Sequence, residues 1–147
     1  MGKIVPIASD HAGYQLKTKV IEHLKSLGYE VKDYGTSSDE SVDYPDYAHP
    51  LASAMNKGEF ERGVLICGSG NGVQMTANKY PNVRCALCWG EELAALARQH
   101  NDANVIALPA RFIAEDEAMR CVDTFFNTPF EGGRHQRRVE KIKNVKI

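Results

Sequence analysis

Apolar and polar positions follow two different patterns that alternate along the chain. Short apolar or alternating runs, typical of β-strands, occupy residues 4–8, 29–34, 63–67, 83–88 and 105–108. Apolar residues at helical spacing, bounded by turn residues, predict helices over residues 16–27, 46–57, 73–79, 91–99, 114–126 and 135–145. Strands that alternate with helices imply βαβ units and a parallel sheet that is covered on both faces.

These patterns predict an α/β fold with three layers. We expect a Rossmann-like, doubly wound sheet of five parallel strands with helices on both faces, in a single domain that spans residues 1–147. Ligands of such folds bind beyond the carboxyl ends of the strands. The segments that follow residues 8, 67, 88 and 108 are therefore the places to look for a functional site.

The segment after the third strand, residues 67–72 with the sequence CGSGNG, carries the sharpest signal. Its alternating glycines let backbone N–H groups approach an anion, and the following helix adds the positive end of its dipole. Cys67 at the strand tip is a candidate base or nucleophile. The spacing fits no Walker loop, cysteine-phosphatase loop or dinucleotide fingerprint. The alternative is a tight strand-to-helix turn with an idle thiol.

Two further clusters offer groups for proton transfer. Asp10 and His11 follow the first strand, and His100 and Asn101 precede the fifth strand after the end of the predicted helix. Histidine is suited to proton transfer near neutral pH. The alternatives are that Asp10 only caps the next helix and that His100 belongs to an ordinary surface turn.

The net charge of −1 hides a basic end on an acidic body. Residues 132–147 hold six basic side chains and one acidic side chain. Arg134 and Arg138 stand four positions apart, so they can share one helix face and bind a phosphate with two guanidinium groups. A solvated helix end and a nucleic-acid surface are the alternatives, but the body is acidic and the basic end has no interleaved aromatic residues.

Composition excludes several classes of protein. With 43% hydrophobic and 25% charged residues, the chain is not a disordered tail, a collagen-like repeat or a disulfide-rich miniprotein. Cys85 and Cys88 form a CxxC motif inside an apolar run, which we interpret as core rather than as a metal or redox pair. Residues 1–8 end at polar Ser9 and no long apolar run follows, so we expect no signal peptide, no membrane span and a cytoplasmic location.

Six motifs together resemble one enzyme family. They are SDHAG at residues 9–13, DYP at 43–45, CGSGNG at 67–72, ANK at 77–79, HNDAN at 100–104 and GGRH at 132–135. The chain resembles type B ribose-5-phosphate isomerases, in the family that also holds galactose-6-phosphate isomerases. The resemblance implies a homodimer with active sites shared between subunits, or a tetramer of such dimers, with the C-terminal helix extending to the partner. It implies a small sugar phosphate as substrate, no metal, no cofactor and no nucleic-acid or membrane partner.

The resemblance also implies roles for individual residues. Cys67 is the expected base that moves a proton between C1 and C2 of the open-chain sugar, and Ser69 helps to hold the enediolate oxygens. The backbone of Gly68, Gly70, Asn71 and Gly72 forms the oxyanion cradle. His100 is the expected acid for ring opening, with Asp10 assisting. The remaining expected contacts are Asn101 and Tyr44 to the sugar, and His11, Arg111, Arg134 and Arg138 to the phosphate.

Ser69, Asn71 and Gln74 depart from the residues usual in the family at these positions. They leave Cys67 and the glycines in place, so they bear on sugar preference more than on reaction type. The family resemblance therefore leaves two alternatives to a pentose-phosphate isomerase. These are an isomerase of a six-carbon sugar phosphate, such as allose or galactose 6-phosphate, and a non-catalytic module that binds a sugar phosphate.

Overall fold

The computed structural model describes residues 3–146, and within them five strands and six α-helices alternate. The elements are β1 (Ile4–Ser9), α1 (Tyr14–Ser26), β2 (Glu30–Asp33), α2 (Tyr44–Asn56), β3 (Gly63–Cys67), α3 (Asn71–Ala77), β4 (Cys85–Leu87), α4 (Glu91–Asn101), β5 (Val105–Pro109), α5 (Glu115–Asn127) and α6 (Arg134–Lys143). A short 3-10 turn, His11–Gly13, joins β1 to α1. No helix among residues 3–146 has the length and apolar character needed to cross a membrane.

The strands form one parallel sheet in the order β2-β1-β3-β5-β4. The chain moves outward from β1 to β2 and then returns to place β3 on the other side of β1. The loops after β1 and β3 therefore leave the sheet in different directions, which opens a crevice at its carboxyl edge. Cys67 at the end of β3 is paired in register with Pro109 at the end of β5.

Helices cover both faces of the sheet, as predicted. One core layer is built by α1, α4 and α5, whose buried members include Val20, Ala97 and Phe125. The other is built by α2 and α3, with Leu51 and Val73 among its buried side chains. Every residue of β3 and β5 is buried, as expected for central strands that are packed on both sides.

Several elements end at other residues than the pattern predicted. Helix α2 begins at Tyr44 rather than residue 46, because Pro45 fits the first helical turn, where its missing N–H costs nothing. Helix α4 continues through Asn101 and stops at Asp102, which has a left-handed φ of 46°. The prediction that His100 and Asn101 follow this helix was therefore wrong. Strand β4 is shorter than predicted, and α6 begins one residue earlier.

Candidate active site

The loop after β3 holds its backbone in a fixed turn beside Cys67. The thiol-bearing residue is the last of β3 and is 4% exposed. Gly70 has a φ of +77°, and a Cβ at this position would lie 2.4 Å from Leu87 Cδ1. The Asn71 N–H donates to Ser69 Oγ at 3.3 Å. Only glycine fits at position 70, so sequence and packing together impose the turn that presents the amides of residues 68–72.

The segment after β5 is bonded onto this loop. The Ala110 N–H donates to the carbonyl of Cys67 at 2.9 Å, and the Arg111 N–H donates to the carbonyl of Gly68 at 2.9 Å. A Cβ on Gly68 would lie 3.3 Å from Arg111 Nη1, so the Arg111 guanidinium lies over that glycine. The structure thus places a cation within a few ångströms of the candidate oxyanion cradle.

Asp10 and His11 lie at the same edge, directly after β1. The Asp10 N–H donates to the carbonyl of Ile66 at 3.3 Å, which holds this turn against β3. Asp10 is 7% exposed, and its Oδ1 accepts the Gly13 N–H at 3.1 Å. The capping role weighed for Asp10 is therefore real, and its other carboxylate oxygen has no protein partner among the described residues.

Tyr44 reaches this edge from the start of α2. Its ring lies against Gly72, where a Cβ would be 2.5 Å from Tyr44 Cε1. The loop before α2 also contacts His11, because the Val42 N–H donates to His11 Nδ1 at 3.1 Å. We call the residues gathered here the carboxyl-edge group: Asp10, His11, Tyr44, the loop 67–72 and Arg111.

The other predicted site residues lie at the opposite edge of the sheet. His100 and Asn101 form the last turn of α4, and the next strand, β5, begins only at Val105. Helix α6 packs against α4 and carries Arg134 and Arg138, both exposed and four residues apart. We call His100, Asn101, Arg134, Arg138 and the adjacent His135 the amino-edge group.

His135 also belongs to the amino-edge group, although the sequence predicted no role for it. Its ring stacks on that of His100 with centroids 4.3 Å apart and planes 11° apart. Burial, and then the neighbouring His100 and Arg134, lower the pKa of His135 from its ordinary value. Helical spacing could have predicted that His135 is buried, because His135 and Val139 stand four positions apart and are the two buried residues of α6.

The two groups are not united within one chain. Strand β5 runs between them, from Val105 at the amino edge to Pro109, the register partner of Cys67, at the carboxyl edge. Its four residue steps span about 13 Å at the usual rise of ~3.3 Å per residue. Within a single chain, Cys67 therefore lies with the carboxyl-edge group. His100, Arg134 and Arg138 lie at the amino edge of the sheet.

Two sets of side chains could in principle take part in metal or redox chemistry: three buried cysteines, and a cluster of two histidines with a glutamate. Cys85, Cys88 and Cys121 are buried free thiols, and burial raises the pKa of Cys88 and Cys121 to about 12. The prediction that the CxxC motif belongs to the core is confirmed.

The second set could in principle hold a metal. Among residues 3–146, the ligand atoms of His100, Glu131 and His135 lie within 4.8 Å of one another. The two imidazole rings are nearly parallel, however, so their lone pairs lie in separate planes and do not converge on one ion. The group is better described as a histidine stack with a carboxylate partner, Glu131 Oε1, 3.6 Å from His135 Nε2.

Comparison with known proteins decides the family. The sequence matches the profile described as Ribose/Galactose Isomerase over residues 5–142. The chain belongs to the ribose/galactose isomerase family. Ribose-5-phosphate isomerase B of Escherichia coli K12 is 43% identical over 143 residues, which cover 97% of this chain and 96% of that protein.

Solved structures of family members agree closely with this fold. A ribose 5-phosphate isomerase from Thermotoga maritima has a TM-score of 0.95 at 48% identity, covering 99% of this chain and 100% of the other. Ribose-5-phosphate isomerase B from Mycoplasma genitalium, solved with bound ribulose-5-phosphate, has a TM-score of 0.91 at 47% identity, covering 95% of this chain and 93% of the other. The isomerase family and the doubly wound parallel fold predicted from the sequence are confirmed. The roles of individual side chains stay predictions.

Proposed function

We propose that this family member interconverts ribose 5-phosphate and ribulose 5-phosphate through an enediolate. The observation that carries the proposal is the position of Cys67. Its thiol ends a central strand between the Asp10–His11 turn and Arg111, and directly precedes a glycine loop. The relatives from Escherichia coli and Mycoplasma genitalium bear the name of this activity.

In the proposed reaction, Cys67 acts as the base. Its thiolate removes the proton from C2 of the open-chain aldose, and the electron pair forms the C1–C2 double bond of the enediolate. The thiol exchanges its proton with solvent and then protonates C1, while a proton passes from O2 to O1, which leaves a ketone at C2. The Ser69 hydroxyl and the backbone amides of Gly68 to Gly72 donate to the oxygens while they carry negative charge. Fixed donors of this kind stabilise the transition state because they need no reorganisation.

Ring opening and phosphate binding use the other predicted residues. His100, assisted by Asp10, transfers the proton that opens the furanose ring, and Tyr44 and Asn101 contact the sugar. Arg111 and His11 at one edge, and Arg134 and Arg138 at the other, bind the phosphate. An anchor that is remote from the reacting carbons contributes binding energy which orients the substrate.

These roles require a second copy of the chain, because the carboxyl-edge and amino-edge groups lie apart within one. We propose a homodimer in which the amino-edge group of one subunit completes the carboxyl-edge group of its partner; a tetramer of such dimers meets the same requirement. An open groove of about 690 Å³ between β4, α3, α4 and α6 offers apolar surface for the partner. Among its lining residues Leu96, Ile142 and Val145 are 37%, 54% and 72% exposed. In this arrangement α6 extends toward the partner subunit.

The proposal treats residues 1–147 as one sugar-phosphate isomerase domain that works in the cytoplasm. Support for that location comes from the cysteines, because Cys67, Cys85, Cys88 and Cys121 are all free thiols. Reducing compartments keep thiols in this state.

Exchange of substrate hydrogen with solvent tests the proposal. Incubation in D₂O with ribose 5-phosphate is expected to give ribulose 5-phosphate and to place deuterium at C2 of the recovered aldose. Cys67→Ala is expected to abolish both signals while the variant still binds ribose 5-phosphate in a calorimeter, because the phosphate contacts are untouched. Full activity in Cys67→Ala would contradict the proposal.

Parallel incubations separate the alternatives. Exchange with allose 6-phosphate or galactose 6-phosphate, and none with ribose 5-phosphate, would identify a six-carbon isomerase. Binding of all three sugars with no exchange by the unaltered protein would identify a non-catalytic module.

A further inference from the structure

Lys17 of α1 is a buried cation for which the proposed reaction has no use. It is 1% exposed and is among the largest fully buried side chains of the described residues. Its Nζ lies 2.6 Å and 2.7 Å from the two carboxylate oxygens of Asp33, at the end of β2. The Lys17 side chain is 2% exposed and that of Asp33 is 45% exposed. Such a pair is weak evidence for stability, since desolvation of the lysine offsets much of the attraction, but it can hold neighbouring groups in one arrangement.

Asp33 is linked in turn to the end of β1, directly before Asp10. Besides Lys17, Asp33 Oδ1 accepts the Gly35 N–H at 2.8 Å. The carbonyl of Gly35 accepts the Ser9 N–H at 2.7 Å, and the Thr36 N–H donates to the carbonyl of Ser9 at 2.8 Å. Ser9 directly precedes Asp10. The ammonium is therefore linked to the Asp10 turn by a continuous set of hydrogen bonds.

The same segment continues into two other residues of the carboxyl-edge group. After buried Thr36, the chain runs along residues 37–43 and donates the Val42 N–H to His11 Nδ1. It then enters α2 at Tyr44, whose ring lies on Gly72. Asp33 is the point from which this loop departs, and Lys17 fixes both oxygens of that carboxylate.

We propose that Lys17 is a positioning residue which, through Asp33, holds the Gly35–Thr36 segment against Ser9 and so sets the placement of Asp10, His11 and Tyr44. This inference rests on the proposed function, because it assigns those three residues to the substrate site. Lys17 touches no substrate. Its effect is geometric, and misplacement of catalytic groups by about 1 Å can lower a rate about 100-fold.

Three substitutions in α1 test the proposal. Lys17→Met removes the ammonium and keeps a long side chain, Lys17→Arg keeps the charge, and Lys19→Met removes an exposed lysine of the same helix as a matched control. We expect kcat/KM for ribose 5-phosphate to fall about 100-fold in folded Lys17→Met, to recover in part in Lys17→Arg, and to stay unchanged in Lys19→Met. Hydrogen exchange at the amides of Gly35, Thr36 and Val42 is expected to quicken most in Lys17→Met, less in Lys17→Arg, and not at all in Lys19→Met.

A merely structural role predicts different results. Lys17→Met would then melt at a lower temperature but keep the kcat, KM and amide protection of the unaltered protein, and this outcome would overturn the proposal. If Lys17→Met does not fold, Lys17→Met/Asp33→Leu removes both charges, so that Asp33 is not left without its cation. In this variant, when folded, we expect the same loss of kcat/KM and the same quickened amide exchange, and unaltered values of both would overturn the proposal. Failure of both to fold would assign the pair to the folding core and reject the positioning role. Absence of isomerase activity in the unaltered protein would refute the proposed function, and amide exchange would still test Lys17.

Discussion

Gly58 and Gly70 share a φ of +77°, yet their surroundings differ completely. A Cβ on Gly58 would meet nothing within 4 Å, whereas one on Gly70 would lie 2.4 Å from Leu87 Cδ1. Both positions disfavour a side chain through the backbone, because L-residues rarely adopt this conformation. Only Gly70 adds a steric requirement, since the loop beside Cys67 passes tightly between β4 and β5.

This difference predicts unequal costs for the same substitution. Gly58→Ala is expected to lose about 1–2 kcal/mol of unfolding free energy from backbone strain. Gly70→Ala is expected to lose roughly 1–3 kcal/mol more from overpacking, and to lose isomerase activity because the amides of residues 68–72 shift. Urea denaturation and steady-state kinetics measure both effects. Equal destabilisation by the two variants would show that Leu87 moves aside freely.

Among helices and strands, α6 carries both buried packing residues and the arginines that we propose bind the phosphate. Its buried side, His135 and Val139, faces α4, while Arg134, Arg137 and Arg138 are exposed. We assign Arg134 and Arg138 to the phosphate and regard Arg137 as solvated. Arg134, Arg137 and Arg138 carry the same charge. The difference that we propose between their roles therefore depends on the direction in which each projects from the helix.

The division on α6 predicts distinct kinetics for neighbouring arginines. Arg134→Gln or Arg138→Gln is expected to lower kcat/KM for ribose 5-phosphate about 10–100-fold, the equivalent of one charged hydrogen bond of ~1.5–3 kcal/mol. Arg137→Gln, the control, is expected to change it less than about twofold, as for a screened surface charge. Initial rates at one fixed ionic strength measure this. An equal loss in all three variants would indicate a general effect of net charge.

Most elements of the fold could be predicted from the sequence, because apolar periodicity is local. The order of the strands could not, since the insertion of β5 between β3 and β4 depends on contacts distant in sequence. The pattern also missed the start of α2, where Pro45 resembled the end of a loop but lies in the first helical turn. Lys17 escaped prediction as a buried residue because its partner, Asp33, is 16 residues away.

Across the fold as a whole, the predicted site residues are divided between two edges of one sheet. The motifs and the family resemblance identified most members of both groups, but they gave His135 no role. They did not show that Cys67 and His100 lie at opposite ends of β5, which follows from where each residue stands relative to a strand. Isomerase activity as proposed therefore requires a partner subunit that brings His100, Arg134 and Arg138 to Cys67.

Complementation between two inactive variants tests whether the site is shared between subunits. Cys67→Ala and His100→Gln are each expected to be inactive as homodimers. When they are co-expressed in equal amounts, a heterodimer holds one site with both Cys67 and His100 intact. Random pairing across a two-fold interface then predicts recovery of about a quarter of the unaltered activity. No recovery, in a sample shown by native mass spectrometry to contain the heterodimer, would contradict a site shared between subunits.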